Sequence, residues 1–194
     1  MSFSGSFWLK FGLFTVGLGQ SFVFVLVPPL ARNLGLSEIQ TSMIFAISAI
    51  AWALTSAFWG RASDKYGRRN IAILGLVGYG ISLIALITPL FLAERNMLDL
   101  AYLFPALVLG RLINGLLGSA TRPASFAYTA DITSKEKRTL KFARLESSFL
   151  LGTVAGPLLG GFLFLITNET PFYVFSVLAF IAACGIYYKL EPSN

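Results

Sequence analysis

Apolar runs of eighteen or more residues recur along the chain, and the connectors between them hold most of the charge. The pattern predicts six such runs, at roughly 6–29, 39–60, 71–92, 101–129, 142–166 and 172–189. Runs of this length and apolarity read as membrane spans. At about 1.5 Å per residue the second run reaches about 33 Å, enough for a hydrocarbon core near 30 Å. In lipid each must be a helix, because every backbone polar group needs a partner within its own segment. The expected fold class is therefore all-α integral membrane, with residues 1–194 forming a bundle of six transmembrane helices. The first run spans about Phe7 to Val27, too long for a typical signal-peptide core, and no small-residue cleavage site follows it.

The connectors set the orientation. One side carries Lys10, the cluster Arg61, Lys65, Arg68 and Arg69, the cluster Lys135, Lys137, Arg138, Lys141 and Arg144, and Lys189. The other side carries Arg32 and Arg95. The excess of cations on the cytoplasmic face of membrane proteins then places both termini and the loops 61–70 and 130–141 in the cytoplasm. The connectors 30–38, 93–100 and 167–171 face outward. Composition agrees: 56% of residues are hydrophobic and 14% aromatic, and mean hydropathy is +0.73. The net charge of +6 sits in short loops, which argues against a nucleic-acid partner. With no histidine and one cysteine, His-based acid/base chemistry, Cys/His metal sites and an intrachain disulfide are excluded. Cys184, in an apolar helix, reads as a small packing residue. No convergent acid, base or metal constellation marks an enzyme, and no cofactor is expected.

Three motifs stand out. The connector Gly60-Arg61-Ala62-Ser63-Asp64-Lys65-Tyr66-Gly67-Arg68-Arg69-Asn70 packs four cations and an acid between two spans. Gly60 and Gly67 permit tight turns and close helix approach. Asp64 can cap the following helix or pair with a cation. Arg68 and Arg69 can hold the headgroups or reach carboxylates on neighbouring helix ends. In span five, Gly152, Gly156 and Gly160 recur at i, i+4 and i+8, with Pro157 and Gly161 beside them, which lets two helices pack backbone to backbone. Span four carries Arg111 about 15 Å into the membrane. A cation there costs several kcal/mol if it faces lipid, so it should face protein or a wet cavity.

The first motif, G-x-x-x-D-[RK]-x-G-R-[RK], resembles the signature loop of the major facilitator superfamily at every fixed position. The second, G-x-x-x-G-P-x-x-G-G, resembles the antiporter motif of its proton-coupled exporters. Leu107-x-x-x-Arg111-x-x-Asn114-Gly115 resembles a third family motif in part, with Asn114 where glutamine is usual. Val27-Pro28-Pro29-Leu30 resembles the proline pair that ends the first helix in family exporters. The resemblance covers about Phe7 to Leu190 and implies one half of a twelve-helix fold, two three-helix units of opposite topology. It implies that the 60–70 loop gates the two halves, with Asp64 and Arg68 active in this, where the residues alone also allow a plain topology anchor. The expected partner of Arg68 is Asp131, at the end of span four.

Arg122 follows Arg111 by eleven positions. On a continuous helix this makes three turns plus about 20°, placing both guanidiniums, with Asn114, Gly115, Gly118 and Ser125, on or near one cavity-lining stripe. Folding spans four and five about Ser134 brings Arg122 level with Glu146. That pair is either a static ion pair or a proton-coupling site, since drawing the arginine away raises a desolvated carboxylate's proton affinity. Arg111 then lacks an acid in this chain and awaits either a residue outside it or an anionic substrate. Gln20, with Thr15 and Ser21, could donate to a substrate or bond to carbonyls of its own helix.

The expected function is a membrane transporter in the plasma membrane, of bacterial inner-membrane type. It exports a small organic, anionic or zwitterionic compound against protons by alternating access. Its partners are the bilayer, the substrate, and a C-terminal half or a second copy. An importer or facilitator of the same fold, or a non-transporting half-bundle, are the alternatives.

Overall fold

The computed structural model describes residues 3–192, and the bundle expected over 1–194 is described within those bounds. Its regular structure among the described residues is helical: α1 (Phe3–Asn33), α2 (Glu38–Tyr66), α3 (Arg68–Glu94), α4 (Leu100–Leu116), α5 (Thr121–Asp131), α6 (Lys135–Phe164) and α7 (Thr170–Lys189). α4 and α5 together make the fourth span, so six spans are long and apolar enough to cross a membrane.

The first span corrects the expectation drawn from its prolines. α1 runs through Pro28 and Pro29 to Asn33. What ends it is a glycine C-cap. Leu36 N–H donates to Ala31 O at 3.1 Å, Gly35 N–H donates to Arg32 O at 2.9 Å, and Gly35 takes φ +97°. That crossed pair satisfies the last carbonyls and needs a left-handed residue between them. Asn96 (φ 55°) ends α3 in the same way, with Met97 N–H donating to Leu92 O. Ser37 and Gln40 form a reciprocal capping box at the start of α2. A single residue, Gly67 at φ +89°, turns the chain from α2 into α3.

Span one packs on span five, and span four packs on span two. Span one also packs on span six, as span four does on span three, while spans three and six pack on each other. The pattern is unchanged when spans one, two and three are exchanged for four, five and six. Because span four runs opposite to span one, this is an inverted 3+3 repeat.

The core lies where spans one, three and six meet. Phe22 sits edge-on to Phe172 and Phe175, with ring centroids 5.0 and 5.4 Å apart, above a buried layer that includes Leu13, Leu76 and Leu83. α2 and α6 leave most of their apolar residues uncovered. Lipid tails are as apolar as leucine, so close backbone approach has to hold such helices together. The glycines of span five supply it: Gly152 lies against the Phe14 carbonyl, Gly156 against the Leu18 carbonyl and Gly160 against the Phe22 ring. Cys184 does not pack in the core as expected. It is exposed, beside Trp8 on the outer groove between α1 and α7.

Candidate functional site

Span four is broken at Gly118–Ala120 by one turn of 3₁₀ helix. Pro123 explains the break. It has no N–H to offer Ser119 O, and its ring crowds that carbonyl, while Gly115 and Gly118 weaken the turn before it. Ala120 N–H bonds Leu117 O, so the Leu116 carbonyl loses its usual helical donor. α2 replaces it: Trp59 Nε1–H donates to Leu116 O at 2.6 Å, and Thr55 Oγ1 donates to Gly115 O at 2.9 Å. Ser48 Oγ donates to Arg111 O at 2.8 Å. An orphaned carbonyl away from water costs several kcal/mol, so the Trp59 bond to Leu116 O, beside a longer one from Ser119 Oγ at 3.3 Å, supports the broken helix. Ser48, Thr55 and Trp59 were not singled out from the sequence. Pro123 following Gly115 and Gly118 was the signal that could have found the break.

The break also undoes the single arginine stripe, since eleven uniform helical steps do not connect the two residues. Arg111 points into a cavity of about 140 Å³ between spans one, two and four. Gln20, Phe24, Phe45, Trp52 and Asn114 line it with Arg111. The guanidinium lies 5.7 Å from the Phe24 ring centroid and 5.2 Å from that of Phe45, and those rings stack on each other at 4.9 Å. Arg111 is 5% exposed, its Nε has no acceptor, and Asn114 Oδ1 has no donor. Among the described residues no carboxylate reaches Arg111. Ring faces attract a cation but do not neutralise it.

Arg122 faces a different partner. Its Nη2 donates to both carboxylate oxygens of Glu146 on α6 at 2.5 Å, and its guanidinium lies 4.7 Å from the Phe149 ring. The hairpin geometry about Ser134 places these two side chains at one depth, as the sequence suggests. Both side chains stay more than a third exposed, so this pair lies at the surface of the bundle. Thr15 and Ser21 bond to carbonyls of their own helix, leaving Gln20 as the polar cavity residue of span one.

At the end of the bundle that carries the basic loops, Arg68 joins two elements. Its Nε donates to Asp131 at 2.8 Å, Nη1 donates to Ser63 Oγ at 3.1 Å, and it forms an ion pair with Asp64. Asp64 therefore pairs with a cation instead of capping α3, whose N-terminus at Gly67 has no side-chain cap. Arg69 reaches the Leu190 carbonyl at 3.0 Å and stacks on Tyr187. Lys65 lies over Tyr66. Gly60 departs from expectation: it sits inside α2 with nothing within 4 Å of an added Cβ, so no helix approaches it closely.

The Major Facilitator Superfamily family model matches residues 9–194. The chain belongs to this superfamily. Among its curated relatives, the quinolone resistance protein NorA of Staphylococcus aureus is 27% identical over 191 residues, covering 97% of this chain and 46% of that protein. The tetracycline resistance protein, class B, of Escherichia coli is 31% identical over 164 residues, covering 83% of this chain and 38% of that protein. The chain thus spans about half the length of the curated relatives it matches. As a superfamily bundle it is a multi-pass membrane protein. Its glycine motif divides in two. Gly152, Gly156 and Gly160 are buried against span one, while Gly161 faces open space and Pro157 lies on the outer side with Leu158 and Phe162.

Proposed function

We propose that this superfamily bundle is the N-terminal half of a proton-coupled exporter of a small organic anion or zwitterion. It would sit in a bacterial inner membrane with both termini cytoplasmic. The observation that carries the reading is Arg111: a buried cation with no carboxylate partner among the described residues, aimed into a cavity between three spans. An uncompensated buried charge costs several kcal/mol, which an anionic substrate offsets when it arrives. The resistance-protein names of the relatives and the G-x-x-x-G-P-x-x-G-G motif support export over import.

In this reading the work is conformational. Gln20, Arg111 and Asn114 bind the substrate. Glu146 takes up the proton, which breaks its pair with Arg122 and frees that cation to move. The Arg68–Asp131–Asp64 cluster holds one state closed at the basic end, with Lys65 and Arg69 fastening the loop. Alternating access needs a second six-helix bundle, supplied by further sequence or by a second copy.

The test is flux in vesicles under an imposed pH gradient, with the chain alone and with a complementary C-terminal bundle. Substrate-dependent proton movement that Glu146→Gln abolishes is expected. Substrate flux in the same direction as the protons would make the protein an importer. No flux with either bundle arrangement would leave a non-transporting module.

A further inference from the structure

The Arg111 cavity is more specific than charge alone requires. Its volume of about 140 Å³ is close to the roughly 150 Å³ that holds a single benzene ring. Two rings from different helices, Phe24 of α1 and Phe45 of α2, stack at 4.9 Å with an interplanar angle of 27° beside the guanidinium. Phe24 is half-exposed at the mouth of this cavity, whereas Arg111 is buried. Trp52 and the Asn114 amide complete the wall.

We infer that this cavity binds a flat aromatic ring bearing one carboxylate, with the carboxylate on Arg111 and the ring against Phe24 and Phe45. The inference rests on the transport reading only for the site's purpose. The physical argument is local. The planar guanidinium fork matches a carboxylate with two parallel hydrogen bonds. Phenyl faces favour an offset or edge-on ring over an aliphatic group of equal volume. Asn114 Oδ1, buried and without a donor, adds an acceptor for a ring hydroxyl or amine. An aromatic cation meets Arg111 at short range and is repelled.

Binding to the chain in lipid nanodiscs tests this without any flux. Benzoate, cyclohexanecarboxylate and benzylamine serve as probes, read by calorimetry and by Trp52 fluorescence, with Trp52→Phe assigning the signal. Benzoate should bind several-fold more tightly than cyclohexanecarboxylate, and benzylamine should not bind. Arg111→Gln should weaken benzoate at least tenfold, and Arg111→Lys less, because a point charge replaces the fork. Phe45→Leu should weaken benzoate several-fold and leave cyclohexanecarboxylate unchanged. If Arg111→Gln fails to fold, the probe ranking on the unaltered chain and the Phe45→Leu comparison still decide. Equal binding of benzoate and cyclohexanecarboxylate, or any binding of benzylamine to this cavity, overturns the inference. Loss of proton-coupled flux with aryl carboxylate binding intact would refute the transport reading alone.

Discussion

Replacing Gly152 by alanine should separate the two helices that pack most closely, while the same change at Gly161 should not. A Cβ at position 152 would fall on the Phe14 carbonyl oxygen and 3.0 Å from both Phe14 C and Leu18 N. These are backbone atoms of α1, so no side chain can rotate away. Restoring ordinary contact moves α1 from α6 by about 1 Å, and overpacking of this kind costs about 1–3 kcal/mol. The helix-propensity gain of alanine over glycine, about 1 kcal/mol, works against that loss but does not cancel it at the upper end. At Gly161 nothing lies within 4 Å, so only the propensity gain remains.

The assay is thermal unfolding in detergent, followed by circular dichroism at 222 nm or by intrinsic fluorescence. With roughly 2–4 °C of Tm per kcal/mol for a chain of this size, Gly152→Ala should lower Tm by a few degrees. Gly161→Ala should leave it unchanged or raise it slightly. Equal shifts for the two variants would mean that glycine content, not the α1–α6 contact, sets stability, and the packing account would fall.

The remaining predictions concern single contacts. Thr55→Val removes the hydroxyl bonded to Gly115 O, and a membrane hydrogen bond is worth about 0.6–1.7 kcal/mol, so a Tm loss of a few degrees is expected. Gly67→Ala forces a side chain onto φ +89° and should cost about 1–3 kcal/mol, whereas Gly60→Ala, with open space around it, should be neutral or slightly stabilising; the two melts measured together check this. A double-mutant cycle of Arg68→Gln with Asp131→Asn should give a coupling of no more than about 1 kcal/mol, because Asp131 is 45% exposed. A much larger coupling would place that pair inside the bundle and not at its rim. Arg122→Gln should leave the helical circular dichroism unchanged, since both side chains of that pair are more than a third exposed and no core contact depends on it.

Most of the bundle was legible because lipid leaves few choices. Span number followed from hydropathy, and the i, i+4 glycines foretold a close face on span five. Symmetric counting about Ser134 placed Glu146 beside Arg122. Legibility failed where local backbone chemistry outweighed periodicity. Pro123 and Gly118 interrupt span four, so a uniform 100° step cannot relate Arg111 to Arg122. Pro28 and Pro29 look like a helix end, yet a proline pair on a helix whose neighbours hold it need not terminate it, and Gly35 does so instead. Gly60 and Gly161 share motifs with glycines in tight contact, but a motif does not say which glycine faces a neighbour. Arg111 and its two rings, Phe24 and Phe45, lie in three separate segments, with no spacing rule to join them.

The two symmetry-related contacts, span one on span five and span four on span two, are held by different chemistry. The first is backbone on glycine, at Gly17, Gly152 and Gly156. Dispersion contact of this kind has one good register, and sliding α6 along α1 would drive Cβ atoms into carbonyls. The second has one such point, Gly115 against the Ser48 carbonyl, and is otherwise held by hydrogen bonds. Thr55 Oγ1 lies within bonding distance of Ala51 O at 2.7 Å on its own helix, as well as Gly115 O at 2.9 Å and Ser119 Oγ at 2.8 Å across the gap. A hydroxyl with acceptors on both sides can exchange one for another at little net cost. Thr55 can therefore follow a small shift of α2 against the broken span, whereas the single bonds from Ser48 to Arg111 O and from Trp59 to Leu116 O resist it. Arg111 and the Phe24–Phe45 pair sit where spans one, two and four meet, and Glu146 and Arg122 tie span four to the helix whose glycines pack against span one.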